Sequence, residues 1–143
     1  KDLRQELAAR DPLRRSLAAR ALGGLHDRES IEGLIGLSGS DDQMCAQAAA
    51  EALREITKAS FGTHPRQWTA WWAENRGRRR VDWLVSALRH RELDLRLAAI
   101  EELSKAFNDN LGYFADGPPE GREQAISRWE ALLARTARAK LEH

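Results

Sequence analysis

Four histidines, three of them scattered through the body of the chain and the fourth its last residue, one cysteine and a few paired carboxylates are the residues of this 143-residue chain with types suited to catalysis or metal binding. None of His26, His64 and His90 stands four residues from another, so a two-histidine zinc spacing is missing. Cys45 falls on an alanine-rich stripe with Ala48, Ala49 and Ala52 and reads as a small core residue, not a nucleophile. A single cysteine also excludes an internal disulfide and a multi-cysteine zinc site. Asp41-Asp42 stands where a helix begins, and Glu101-Glu102 fits a solvated helix face. Neither a Gly-x-Ser-x-Gly elbow nor a phosphate loop nor a dinucleotide fingerprint occurs. The chain is therefore expected to be no enzyme and to carry no cofactor and no metal.

Binding chemistry is better represented. Five tryptophans are many for this length, and Trp68, Trp71 and Trp72 share a helical face. Such a face could stack on bases or grip a peptide. Trp68, and Trp129 with it, is expected to serve the core, whereas one of the neighbours Trp71 and Trp72 is expected to be partly exposed. Between His64 and Arg91 stand seven arginines (66, 76, 78, 79, 80, 89 and 91) against Glu74 and Asp82, a balance of +5. The flanking stretches balance at −1 and −3, so a near-neutral total of 23 basic and 22 acidic residues conceals a basic middle. Arg78, Arg79 and Arg80 precede or open a helix, where positive charge is disfavoured by about 0.3–1 kcal/mol per residue. The cluster reads first as a solvated loop and second as a site for phosphate or an acidic partner. Arg66, Arg76, Arg78, Arg79, Arg80, Trp71 and Trp72 are the partner-binding candidates.

These residues must be placed by helices. Hydrophobic residues at 42% and charged residues at 31% describe a folded, soluble chain. The lack of an apolar span and of a signal-peptide core points to a cytoplasmic protein without membrane partners. Leu141-Glu142-His143 resembles the junction before a C-terminal histidine tag and is set aside. With Met44 the only methionine, Lys1 is not expected to be a native start, and residues 1–140 read as one domain of a larger chain.

Leu13, Leu17, Ala21, Leu22 and Leu25 fall on one stripe expected to face the core, with Asp11 as N-cap and Pro12 first in the helix. Ile31, Leu34, Ile35 and Ser38 make a short stripe. Ser40 and Gln43 give a capping-box signature for the helix of Cys45 to Ile56. Pro65 opens the tryptophan helix, Val81 to Leu88 and Leu95 to Leu103 form the next two, and Pro119 starts the last. No segment has the alternation of a strand. The fold class is all-α.

The helices repeat. Ala48-Ala49-Ala50-Glu51-Ala52-Leu53, then Phe61-Gly62, returns fifty residues later as Ala98-Ala99-Ile100-Glu101-Glu102-Leu103, then Leu111-Gly112. Trp68 finds its counterpart in Trp129 across an eleven-residue insertion containing Gly117-Pro118-Pro119-Glu120-Gly121. Tyr113 and Phe114 ahead of it either clamp that loop or meet a partner. A shorter echo lies thirty-one residues upstream, Asp11 and Ala18-Ala19 against Asp42 and Ala49-Ala50. Such periods indicate stacked helical units that bury a continuous core together.

Asp11-Pro12-Leu13-Arg14-Arg15 followed by Ala18-Ala19, and Leu93-Asp94-Leu95-Arg96 followed by Ala98-Ala99, resemble the second helix of bacterial HEAT-like repeats of the kind also found in phycobilin lyases. Phe61-Gly62-Thr63-His64-Pro65 with Trp68 and Trp71-Trp72 resembles a decoration of bacterial HEAT-repeat proteins. The resemblance covers about residues 11–138 and implies an α-α superhelix serving as an interaction scaffold. Its fold signal is strong, and its functional signal is slight.

The leading expectation is a non-enzymatic scaffold that binds another protein along a groove lined by Arg15, Arg20, Gln47, Glu51, Arg54, Arg96 and Glu101. Mixed charges there suit a protein better than a polyanion. The alternative is a nucleic-acid backbone held by the arginine-rich 66–91 segment. HEAT-like DNA glycosylases exist, but no catalytic carboxylate is placed by motif here, so binding is allowed and base excision is not. Chromophore handling, implied by the phycobilin lyases, has no residue beyond the repeats to support it.

Overall fold

A computed structural model describes residues 2–142, with side chains described through Ala137; His143 of the tag-like end lies outside them. Among the described residues all regular structure is helical, and no helix is long and apolar enough to cross a membrane. The chain forms two compact units, the first ending at Gly77 and the second starting at Arg78.

The first unit contains α1 (Leu3–Glu6), α2 (Pro12–Gly24), a 3-10 turn (Arg28–Ser30) leading into α3 (Ile31–Ser38), α4 (Gln43–Thr57) and α5 (Pro65–Asn75). Asp11 caps α2 by accepting from the Leu13 N–H at 3.0 Å, with Pro12 at the first helical position. The expected Ser40–Gln43 box does not cap α4. Asp42 does, accepting from the Cys45 N–H at 3.0 Å, while Ser40 Oγ accepts from the Asp42 N–H one step earlier. A carboxylate facing the positive end of the helix wins over a hydroxyl, and the Cys45 N–H holds the Asp42 carboxyl below its usual range.

α4 is the centre of this unit. Cys45, Ala48, Ala49, Ala52, Leu53 and Ile56 are all buried, flanked by α2 and α3. Small residues set the spacing. A Cβ on Gly23 of α2 would lie 2.8 Å from the Ala52 Cα of α4, so the two backbones touch. Pro65, heading α5, sits against Gly39 just as closely. α1 is tied down by two pairs, Arg4 to Asp27 at 2.7 Å and Arg14 to Glu6 at 2.7 Å.

The stripe expected to bury α2 is largely the wrong face. Leu13, Leu17 and Leu25 are 51, 56 and 68% exposed, while Ser16, Ala18, Ala19, Leu22 and Gly23 are buried. Close approach to α4 selects the small residues, and the leucines are left outward; only Leu22 of the stripe is fully in the core.

The second unit contains α6 (Arg80–Ala87), α7 (Leu93–Phe107) and α8 (Pro119–Glu142). Its core gathers Leu84, Leu88, Leu103, Tyr113, Ile126 and Trp129. The fifty-residue repeat is visible in the backbone. α4 and α7 are both 15 residues long. Each ends on a left-handed residue, Lys58 at φ +58° and Asn108 at φ +56°, and a left-handed glycine follows, Gly62 at +56° and Gly112 at +81°. A proline-headed helix comes next in both, α5 and α8.

Candidate partner-binding surfaces

The tryptophan helix α5 divides its aromatic residues between two roles. Trp68 is fully buried, donates its indole N–H to the Gly62 carbonyl at 2.8 Å and meets Phe61 edge-on at 5.0 Å. Trp129 repeats this in the second unit, buried, donating to the Asn110 carbonyl at 3.1 Å and meeting Phe107 edge-on at 5.4 Å. Both indoles close the left-handed turn after the long helix.

Trp71 and Trp72 are both half-buried, so the partial exposure expected of one is shared by both. Their rings stack at 6.2 Å, and Trp71 also meets Trp68 edge-on at 6.3 Å. Trp72 stands in a polar cleft of about 390 Å³ lined by Arg28, Glu29, Glu32 and Arg76. Its indole N–H donates to Glu32 Oε2 at 3.2 Å, and the guanidinium carbons of Arg28 and Arg76 lie 5.7 and 6.0 Å from its ring centre. Arg28 also donates to the Arg76 carbonyl at 2.6 Å. The structure thus brings Trp71, Trp72 and Arg76 together and adds Arg28, Glu29 and Glu32, which the sequence reading did not single out. The charged side chains lining the cleft are two arginines and two glutamates.

Arg66, on the same helix, is exposed and forms no ion pair among the described residues. In the second unit the arginine run separates. Arg78 is exposed. Arg79 bonds Asp82 through Nε and Nη2, both at 3.1 Å, while the Asp82 carboxylate also accepts the Arg79 N–H. Arg80 makes a two-pronged pair with Glu102 at 2.7 and 3.2 Å, both groups largely covered. Arg79 and Arg80 at the start of α6 are thus met by carboxylates of α6 and α7. Glu102 accordingly leaves the solvated face expected of Glu101-Glu102. Arg89, at the other end, bridges Glu123 and Glu130 of α8, each at 2.9 Å, and holds the Glu123 carboxyl below its usual range.

Two arginines of the expected groove are also structural. Arg15 Nη1 donates to the Ala9 and Arg10 carbonyls at 2.8 and 3.0 Å. Arg96 does the same with His90 and Arg91 at 2.9 and 3.0 Å and adds the Ala115 carbonyl through Nε. Arg20, Gln47 and Glu51 are exposed; Arg20 and Glu51, paired at 2.7 Å, line a shallow 180 Å³ groove between α2 and α4.

The remaining candidates fall to local roles. Cys45 is buried with its thiol 3.2 Å from the Pro12 carbonyl, and burial pushes its pKa up, away from a reactive thiolate. His90 Nδ1 accepts from the Glu92 N–H at 3.0 Å. His26 approaches Glu55 at 3.8 Å. Among the described residues no three metal-ligating side chains cluster. Tyr113 clamps the inserted loop, buried and donating to the Leu88 carbonyl at 2.7 Å, whereas Phe114 is exposed.

The fold is that of an all-helical protein in which a module of short helix, long helix and proline-headed helix occurs twice. Compared with protein-family models, curated proteins and solved structures, the chain matches none.

Proposed function

We propose that this chain is a non-enzymatic interaction scaffold built from HEAT-like repeats and that it binds another protein. The observation that carries the reading is the outward pairing of Arg20 with Glu51, beside Gln47, over backbones in contact at Gly23 and Ala52. Helices packed this closely make a stiff ridge whose exposed side chains are of mixed charge. Such a ridge gives orientation and specificity to a protein partner. The recurrence of the module supports the solenoid reading, since one helix pair cannot bury its own apolar face. A cytoplasmic bacterial origin belongs to the same proposal.

A photo-crosslinking amino acid at Gln47, in the cells that make the protein, tests it. A specific protein adduct is expected, and the paired reversal Arg20→Glu with Glu51→Lys should change its yield several-fold. Adducts with nucleic acid alone, or a yield indifferent to the reversal, would sink the reading. The alternative, a nucleic-acid backbone held by arginines, keeps some support from the exposure of Arg66 and Arg78, which lack ion pairs among the described residues.

A further inference from the structure

The turn ahead of α6 differs from those ahead of α2 and α7. In the latter two, Arg15 and Arg96 reach back to clamp the carbonyls of Ala9 and Arg10, and of His90 and Arg91. The turn ahead of α6 has no such clamp. Gly77 and Arg78 make no hydrogen bond or ion pair among the described residues. Arg78 is exposed, and a Cβ on Gly77 would meet no atom within 4 Å. Arg79, next in the chain, is already extended at φ −75° and ψ 153°. An endopeptidase engages such a segment, because it pairs with the free N–H and C=O groups of an extended chain.

The other basic residues outside the helices are engaged in ways that oppose cleavage. Lys58 is buried. The Arg76 carbonyl accepts from Arg28 at 2.6 Å, and those of Arg10 and Arg91 hold the two clamps. The guanidinium of Arg79 lies on Asp82, and that of Arg89 on Glu123 and Glu130. Among the described residues outside the helices, Arg78 is the one basic residue with both its guanidinium and its carbonyl free.

We propose that the Arg78–Arg79 bond is a processing site for an endopeptidase that receives arginine in a pocket with a carboxylate at its base. Water adds across the bond: the Arg78 carbonyl carbon takes the oxygen and becomes a carboxylate, and the Arg79 nitrogen leaves as an amine that is protonated to ammonium. That nitrogen already donates to Asp82 Oδ2 at 3.1 Å, so the new positive charge forms facing a carboxylate and α6 keeps its cap. The first compact unit ends at Gly77 and the second starts at Arg78, so the cut spares the interior of each. This goes beyond the scaffold reading: it assigns Arg78 a chemical fate that partner binding does not require.

The processed form is read in the cells that make the protein, by labelling free α-amines before digestion and sequencing the labelled peptides. A chain beginning at Arg79 is expected, and it should vanish in Arg78→Gln and return in Arg78→Lys. No chain beginning at Arg79, or one that persists in Arg78→Gln, would overturn the proposal. Sparing trypsin on the purified full chain tests the geometry directly. Of the bonds between described residues, Arg78–Arg79 should be cut first, and Arg78→Gln should slow cleavage of that bond at least about 100-fold, since the pocket carboxylate loses its partner. Arg78→Gln removes no contact, and an unchanged urea midpoint confirms that its fold is intact. First cuts at Arg10 or Arg91 would overturn the proposal. So would loss of helical circular dichroism in the nicked chain, which would mean degradation in place of processing.

Discussion

Gly23 and Ala52 hold α2 and α4 at backbone contact: a Cβ on Gly23 would lie 2.8 Å from the Ala52 Cα and 3.0 Å from its Cβ. Nothing there can yield cheaply, because the obstruction is main chain. Gly23→Val is therefore expected to destabilise the protein by about 1–3 kcal/mol through overpacking, against a helix-propensity gain of less than about 1 kcal/mol. A shift of the urea midpoint at constant slope measures it.

Trp68 and Trp129 play the same part in the two units, each a buried indole bonded to a carbonyl of the preceding turn. Trp68→Ala and Trp129→Ala should each cost about 3–5 kcal/mol, from the cavity and the orphaned carbonyl together. Comparable losses in equilibrium unfolding would support equivalent roles. A loss below 1 kcal/mol for either would show that the repeat is one of sequence only.

Acid sensitivity follows from the carboxylates whose pKa values are lowered in the fold: Asp27 by the hydrogen bond from Arg4, Asp42 by the Cys45 N–H, and Glu123 by Arg89. A lowered folded-state pKa means stability that is fully present above the ordinary carboxylate range and is lost as pH falls through the folded values. The thermal midpoint should therefore be flat from about pH 8 to 5.5 and decline below about pH 4. In Asp27→Asn that decline should be shallower, as thermal melts across the series would record.

Trp72 has two guanidinium groups near its ring in an open cleft, where such contacts contribute about 0.5–1 kcal/mol. Arg28→Ala is expected to change stability by no more than about 1 kcal/mol while altering the emission and quenching of tryptophan. Iodide quenching checks this, since removing Arg28 should open the half-buried ring to the quencher.

Helix type, the proline starts, the Asp11 cap, the fifty-residue repeat and the burial of Trp68 were legible from the sequence because each is a local signal. The exposed face of α2 was not. Periodicity shows that Leu13, Leu17 and Leu25 share a stripe, but only the approach at Gly23 decides which stripe is covered. Partnerships such as Arg80 with Glu102, or Trp72 with Glu32, join helices distant in sequence and leave no spacing to read. Arg15 and Arg96 were expected to face a groove; each folds back onto carbonyls of the loop before its own helix, a route open to any arginine in a first turn.

The central claim is that the arginine-rich middle chiefly serves the fold and that the partner is a protein. A titration with mixed duplex and single-stranded DNA at about 50 and 200 mM salt, followed by tryptophan fluorescence, tests it most directly. The account predicts no quenching and no binding even at the lower salt. Tight binding that falls steeply between the two salts, and that weakens when Arg66 and Arg78 are replaced by Ala, would contradict it.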